Sequence, residues 1–595
     1  MTINTLNDVF YTVIKRQHDR VALTRRPEGW QPIASQQLEA WVHATAHKLQ
    51  SWGIGKGDRV AILSENRPGW AIADFATLLV GGIVVPIYAT QTAEQCLHIL
   101  QNSGSKVLFV STQQQLEKIS AILPLTQVER VIVMDEAHGR KDVVHLGELL
   151  HEATLGPDAE IESIARSIQP HDVATLIYTS GTTGPPKGVV LTHGNIASNL
   201  NMTQHLVPMG VGDLCVSFLP LSHITARHVD YLLYHLGVTI AYCPAFDTLP
   251  QALQETRPTV FVGVPRVYEK VSNQVQMKAK GAKKHIVNWA LRVGRKHRAT
   301  ILAGRRPDAL AWKLANRLLF SKLMENMGGR VRLFCSGGAP LGIDLANWFA
   351  DVGIPIYEGY GLTETSPVIA LNVPASHKIG TVGKPLKNLE LRIAHDGELL
   401  VRGPSVFTGY WQMPEETAAA FEDGWFKTGD IAQIDDEGFL SIIDRKKDLL
   451  KTSGGKLIAP QPIENALKAN MFVAEAAMLG DRRRFPAVLI VPNFPALEDW
   501  ANDHGIPTTS REVLVQSEKV RSLYQSIVDE LNDNLAQFEK LKKILLVANE
   551  LSIADGTLTP SMKLRRRKVE ERYKEEIEAL YRESEAKAGV VSARR

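Results

Sequence analysis

The residues best suited to chemistry stand in Tyr178-Thr-Ser-Gly-Thr-Thr-Gly-Pro-Pro-Lys-Gly188. Two glycines, adjacent threonines and a lysine between short apolar runs predict a loop that wraps polyphosphate oxygens with N–H groups and hydroxyls. It is not the ordinary P-loop. Lys187 lies between Pro186 and Gly188, with no hydroxyl behind it for magnesium. A solvated Gly/Thr turn is the bland alternative.

Other candidates lie further along. Gly359-Tyr-Gly361 lets backbone approach a planar base, and Tyr360 offers a ring for stacking. Glu364, one residue past Thr363, is an acid among glycines, fit to hold a hard cation together with phosphate oxygens. Asp430, at the end of Trp425-Phe-Lys-Thr-Gly-Asp430, is a carboxylate able to accept both ribose hydroxyls. His223 sits in a turn after an apolar run, where a structural histidine is the alternative. Singly these are weak, since an acid after a glycine is usually a turn residue.

The elements that must position them follow from pattern. Residues 173–177 read as a buried strand leading into the phosphate loop, and 189–193 as a second run leading out. Before them, helical spacing at 38–52 and 70–79 alternates with strand-like runs at 60–63, 83–87, 107–110 and 131–134, which predicts a parallel α/β sheet. The same pattern resumes near 331–365. Residues 380–439 carry glycine turns between short β-like runs and read as a small β subdomain. Residues 444–456, dense in charge and glycine, read as a linker.

At 595 residues the chain is too long for one core. Its 67 Lys and Arg nearly balance 64 Asp and Glu, which gives no bulk affinity for nucleic acid. The four cysteines are far apart and form no Cys-x-x-Cys, so neither a zinc site nor a disulfide framework is indicated. No basic N-terminal region precedes an apolar core, and no run approaches 18 apolar residues, so a soluble cytoplasmic protein, at most peripheral to a membrane, is expected. Residues 271–330 stand apart with 14 Lys and Arg against two acids, Asp308 and Glu325. Ile286, Trp289, Ala290 and Val293 share one helical face there, and a second amphipathic segment spans 310–324. A solvated helical hairpin and a surface for anionic lipid are the two readings.

The Tyr178–Gly188 stretch resembles the signature of AMP-forming adenylating enzymes, and the other motifs appear in the matching order over residues 20–575. The resemblance implies that Thr179, Ser180, Gly181, Thr182, Thr183 and Gly184 hold the phosphates and that Lys187 adds charge. Ser336, Gly337, Gly338 and Ala339 would line the adenine and acyl pocket, beside Val264 and His223. Tyr360 and Gly361 would meet adenine, and Thr363 the α-phosphate. Thr179 and Glu364 would hold Mg²⁺, and Asp430 and Arg445 the ribose. Lys447, in Asp444-Arg-Lys-Lys-Asp448, falls at a hinge; Gly454 and Gly455 fall where the pantetheine arm of CoA would pass. Lys563, in Thr559-Pro-Ser-Met-Lys-Leu-Arg565, is the implied catalytic lysine, although the glycine often found before it is replaced by Met562.

Finer resemblance, in Val264-Pro-Arg-Val-Tyr-Glu-Lys270 with the long insertion after it, Ser336-Gly-Gly-Ala-Pro-Leu341 and Lys451-Thr-Ser-Gly-Gly-Lys-Leu-Ile-Ala-Pro460, is to long-chain fatty acyl-CoA synthetases. The implied substrates are a fatty acid, ATP and CoA, with Mg²⁺. The alternative is the same adenylation with a carrier protein or no thiol as acceptor. A catalytically dead lipid-binding scaffold is disfavoured by the intact Lys563, Glu364 and Asp430. A homodimer is one compatible assembly. Pattern and resemblance together predict an α/β fold. A large domain (1–446) would hold two α/β subdomains and a small β-barrel-like one, followed by a smaller mobile α+β domain (447–595).

Overall fold

The computed structural model describes residues 2–136, 143–179, 186–279, 281–453, 456–559 and 563–582. Ser180, Gly181, Thr182, Thr183, Gly184, Gly454 and Gly455, all expected site residues, lie outside the described residues.

Two large sheets form the body. The first has eight strands, in the order Gly409–Tyr410, Lys187–Thr192, Val173–Thr179, Ile83–Ile87, Arg59–Leu63, Val107–Val110, Arg130–Val133 and Val144–His145. Its central neighbours are parallel, and the strands Val173–Thr179 and Lys187–Thr192 pair antiparallel, with Thr179 opposite Lys187. Within it, Val60 and Ile62 face one core while Ala61 and Leu63 face another. The sheet is therefore covered on both sides, which is why its strands read as continuous apolar runs.

The second sheet has nine strands and runs from Lys384–Pro385 through Val368–Leu371, Ile356–Gly361, Leu333–Ser336, Val260–Gly263, Leu214–Ser217, Thr239–Tyr242 and Ala22–Arg26 to Gly29–Ile33. Helices Leu6–Lys15, Pro68–Leu79 and Ile224–Leu236 contribute to a core that also includes residues from both sheets. A buried pair bridges these layers: Arg227 donates to Asp74, Tyr231 and Thr175, and its guanidinium lies 5.5 Å from the Trp70 ring.

The small subdomain is an antiparallel sheet of five strands: Glu390–Ile393, Glu398–Arg402, Phe421–Glu422, Trp425–Ile434 and Leu440–Arg445. The expected linker includes strands: Arg445 ends one, and Leu450–Lys451 pairs with Leu457–Ile458. From Leu450 onwards, apolar residues join a separate core that extends to Tyr581. It is built on a mixed three-stranded sheet, Val473–Leu479, Ala487–Pro492 and Ile544–Leu546.

The basic segment is not a hairpin standing in solvent. Helix Ala282–Leu302 packs on helix Ile343–Asp351, and the contact demands a glycine: a Cβ on Gly294 would lie 1.9 Å from the Asp351 carbonyl oxygen. Arg298 pairs with Asp351 at 2.7 Å, and Ala290, Val293, Trp312, Phe320 and Leu323 join the neighbouring core. Trp289 is half-buried against that core. No described helix is long and apolar enough to cross a membrane.

Candidate active site

The candidate residues gather where strands of the nine-stranded sheet end, the usual place for ligands in open parallel sheets. Ser336 closes the strand Leu333–Ser336, paired with Gly263 on one side and Glu358 on the other. Its hydroxyl is buried and has no hydrogen-bond partner among the described residues. Gly337 donates to the Gly263 carbonyl, and Gly338, at φ +81°, would bring a Cβ to 3.7 Å from Val264. The Glu358 carboxylate accepts from the Leu341 N–H at 3.0 Å and so ties down the segment carrying Gly337, Gly338 and Ala339. Burial pushes its pKa up to about 7.

Tyr360 is half-buried, and its hydroxyl donates to Asp430 at 2.5 Å. Asp430 stands opposite Arg445 on neighbouring strands, and Arg445 Nε meets its other oxygen at 2.8 Å. Burial raises the Asp430 pKa, opposed by Arg445, the Tyr360 hydrogen bond and Lys563. The glycines around Tyr360 have an intramolecular reason: a Cβ on Gly361 would lie 1.8 Å from the Pro367 carbonyl oxygen. Their smallness admits the adjacent chain, whatever they also offer a base.

Thr363 and Glu364 lie in a short 3₁₀ turn after this strand. Glu364 accepts from the Tyr410 hydroxyl at 3.0 Å, and its pKa is raised by burial. Lys187 Nζ lies 5.2 Å from the Tyr410 ring centroid. Tyr410 thus stands between two expected site residues, and sequence reasoning missed it. The available signal was only an aromatic after Gly409 in an irregular stretch. Among the described residues no group of three His, Cys, Asp or Glu could hold a metal. A single desolvated carboxylate, Glu364, fits Mg²⁺ held mainly by nucleotide phosphates.

His223 caps the helix Ile224–Leu236, its Nδ1 accepting from the Thr225 N–H at 3.1 Å. The neutral ring then keeps its proton on Nε2, a donor for a carboxylate. Burial, aided by the Lys563 charge, pulls its pKa down to about 4.

Lys563 comes from the other core. Thr559 N–H donates to its carbonyl, and Leu558 bridges Leu564 beside it. The residue is exposed to water, while its ammonium is crowded by protein atoms. That burial, with the Arg445 charge, lowers its pKa to about 8 against the opposite pull of Asp430 and Glu364. The two bodies also touch through Arg266, which donates to the Ala474 carbonyl at 2.9 Å and pairs with Glu475 at 3.4 Å. Between them, Lys446 is tied to Asp396 and Glu398, Asp444 accepts from the Gln461 N–H, and Lys447 is exposed.

The chain matches the AMP-binding enzyme family over residues 10–411 and the AMP-binding enzyme C-terminal domain over 447–585, and it belongs to that family. Among curated relatives, it is 36% identical to the long-chain-fatty-acid–CoA ligase FadD15 of Mycobacterium bovis, covering 95% of this chain and 94% of that one. It is 31% identical to the long-chain-fatty-acid–CoA ligase ACSBG2 of Xenopus laevis, over 98% of this chain and 84% of that one. Among solved structures, the adenylation domain of a carboxylate reductase from Mycobacterium chelonae superposes with a TM-score of 0.76 at 23% identity, covering 97% and 91% of the two chains. ATP-bound MatB from Rhodopseudomonas palustris gives 0.70 at 24% identity, over 96% and 99%. These two establish the shared fold.

Proposed function

We infer that the chain is a long-chain fatty acid–CoA ligase that forms AMP. The named relatives of nearly full length support it. The observation that carries the site assignment is the convergence of Lys563, from the C-terminal core, on Asp430, Glu364 and His223 of the body. In the first half-reaction a carboxylate oxygen attacks the α-phosphorus of ATP, giving acyl-AMP and pyrophosphate. In the second the CoA sulfur attacks the acyl carbon, the thiol proton is lost, and AMP departs as acyl-CoA forms.

The first half brings two anions together, so it needs positive charge aimed where charge shifts. Lys563 and Lys187 supply it, Thr363 contacts the α-phosphate, and the phosphate loop from Ser180 to Gly184 holds the rest. Thr179 and Glu364 would hold Mg²⁺, which neutralises phosphate charge. Asp430 and Arg445 position the ribose, with Tyr360, Gly361 and the Gly337–Gly338–Ala339 backbone at the base. Ser336, His223 and Val264 orient the acid, the hydroxyl and ring N–H toward its carboxylate. In the second half Lys563 must leave, and Lys447, exposed between the two cores, is the pivot that lets the domain from residue 447 swing on the body of residues 1–446. Gly454 and Gly455 would then border the path of the thiol.

Each buried methylene adds up to about 0.8 kcal/mol, so an apolar acyl site separates long acids from short ones. Pyrophosphate release should be measured against acids of increasing length, with and without CoA. Long chains should win, and acetate used as well as palmitate would overturn the substrate class. Acyl-AMP without thioester would favour a carrier protein as acceptor. Peripheral contact with anionic membrane fits the same reading, because long-chain acids partition into bilayers. Homodimeric assembly is checked by light scattering, where a monomeric mass removes it.

A further inference from the structure

The inward face of residues 310–323 carries Trp312, Ala315, Phe320 and Leu323, all buried in the neighbouring core, with the Trp312 and Phe320 rings 4.9 Å apart. Packing therefore fixes which side looks outward. That side bears Leu310, Leu314 and Leu318, exposed by 83%, 50% and 39%. Leucines four residues apart form a row along the outer face, and three large apolar side chains so placed are more than scattered surface residues.

Within residues 305–322 the unpaired charges are positive, and the one acid, Asp308, is paired with Lys313. Arg305, Arg306, Arg317 and Lys322 are exposed and enter no ion pair among the described residues. Lys313 is held by Asp308 at 2.5 Å, and Arg295 and Arg298 face Asp351, so these three are already partly neutralised. A row of leucines bordered by unpaired cations matches an anionic bilayer: apolar chains enter the interface while basic groups meet headgroup phosphates. A protein partner would have to supply both an acidic rim and an apolar groove.

We propose that the outer face of residues 305–322 docks on an anionic lipid surface, with Leu310, Leu314 and Leu318 entering the interface. The surface belongs to the same nine-stranded-sheet region as Val264, from which helix Pro265–Lys278 leads into the basic segment. Docking would hold the enzyme where long-chain acids collect. That purpose rests on the ligase reading, but vesicle binding needs no turnover, so the two fail separately.

The test is co-sedimentation of the full chain with phosphatidylcholine vesicles and with mixed phosphatidylcholine–phosphatidylglycerol vesicles, at low and high salt. Wild type should bind the anionic vesicles and release at high salt. Removing a basic residue near the surface should cost roughly fivefold in partitioning, so Arg305→Gln, Arg306→Gln, Arg317→Gln and Lys322→Gln together should cost several hundredfold. Changing Leu310, Leu314 and Leu318 to Gln should cost on the order of tenfold or more. Unchanged melting temperature and pyrophosphate release on a soluble medium-chain acid would show that both variants are folded. No wild-type binding at low salt, equal binding to neutral vesicles, or full binding by either variant would overturn the proposal. So would a leucine variant that turns a wild-type dimer into a monomer without altering vesicle binding, which would assign the row to a second copy.

Discussion

Two arginine–aspartate pairs in this protein differ in one respect, the openness of the cation. Arg227 and Asp74 have side chains 1% and 2% exposed, and Tyr231, Thr175 and the Trp70 ring complete their surroundings. Nothing is left for a ligand. In the second pair Asp430 is 4% exposed but Arg445 is 47% exposed, and the Lys563 charge acts on both. Burial pushes both carboxylates upward in pKa while a guanidinium opposes it. The first arrangement spends its charge on joining the two sheets; the second keeps its cation open to solvent.

The largest expected effect is at the closed pair. Arg227→Ala leaves Asp74 buried without its cation and should cost about 3–5 kcal/mol of stability, read by denaturant unfolding. Replacing both partners with apolar residues of similar volume should restore most of it. A stable single variant would break the contrast. At the open site, Lys563→Ala should slow adenylation by about 10²–10³, roughly 3–4 kcal/mol, while supplied acyl-AMP still reacts with CoA. Equal loss in both half-reactions would remove Lys563 from adenylation.

Asp430→Ala should leave stability nearly unchanged and weaken ATP binding by about 1.5–3 kcal/mol, the worth of hydrogen bonds to a charged group. Calorimetric titration with a non-hydrolysable ATP analogue measures it; a large fall in melting temperature with intact affinity would place Asp430 with the closed pair. The Lys563 ammonium, with its pKa lowered to about 8, loses its charge as pH rises through that value. Adenylation should therefore fall on the alkaline side more than two units before an ordinary lysine would titrate. Bound ATP moves the limb upward, and Lys563→Arg, where active, should abolish it. Smallest is Lys447→Pro, which restricts φ at the pivot: acyl-AMP should form normally while thioester formation slows. Wild-type turnover would remove Lys447 as the hinge.

Much of the architecture was legible because local rules and fold agree. The apolar runs at 60–63, 83–87 and 107–110 are the central strands of a sheet covered on both faces. The glycine-spaced stretch after residue 380 is largely the antiparallel subdomain, although Gly409–Tyr410 leaves it to extend the eight-stranded sheet beside Lys187. That departure hid Tyr410 from sequence reasoning, since nothing near it in the chain marks a partner in Glu364. The 444–456 stretch read as a linker because charge and glycine mask two short pairing strands. Glu358, next to a tyrosine and a glycine, gave no sign that burial would make it the anchor of the Leu341 N–H.

The sequence by itself determined the motifs, their order and the periodicity of the elements, since each depends on residues close together along the chain. It also determined the charge of residues 271–330. Only the tertiary structure decided which of those residues face outward, because packing against Ile343–Asp351 and the shared core consumes one side and leaves the leucine row. Only the tertiary structure joined Arg227 to Asp74 across 153 residues, and Tyr360 to Asp430 across 70. Lys563, from one core, likewise comes under the charges of Asp430 and Glu364, from the other, only through the tertiary structure. Charge interactions of this kind act through space and depend on how much water the fold removes, and no local pattern encodes that quantity.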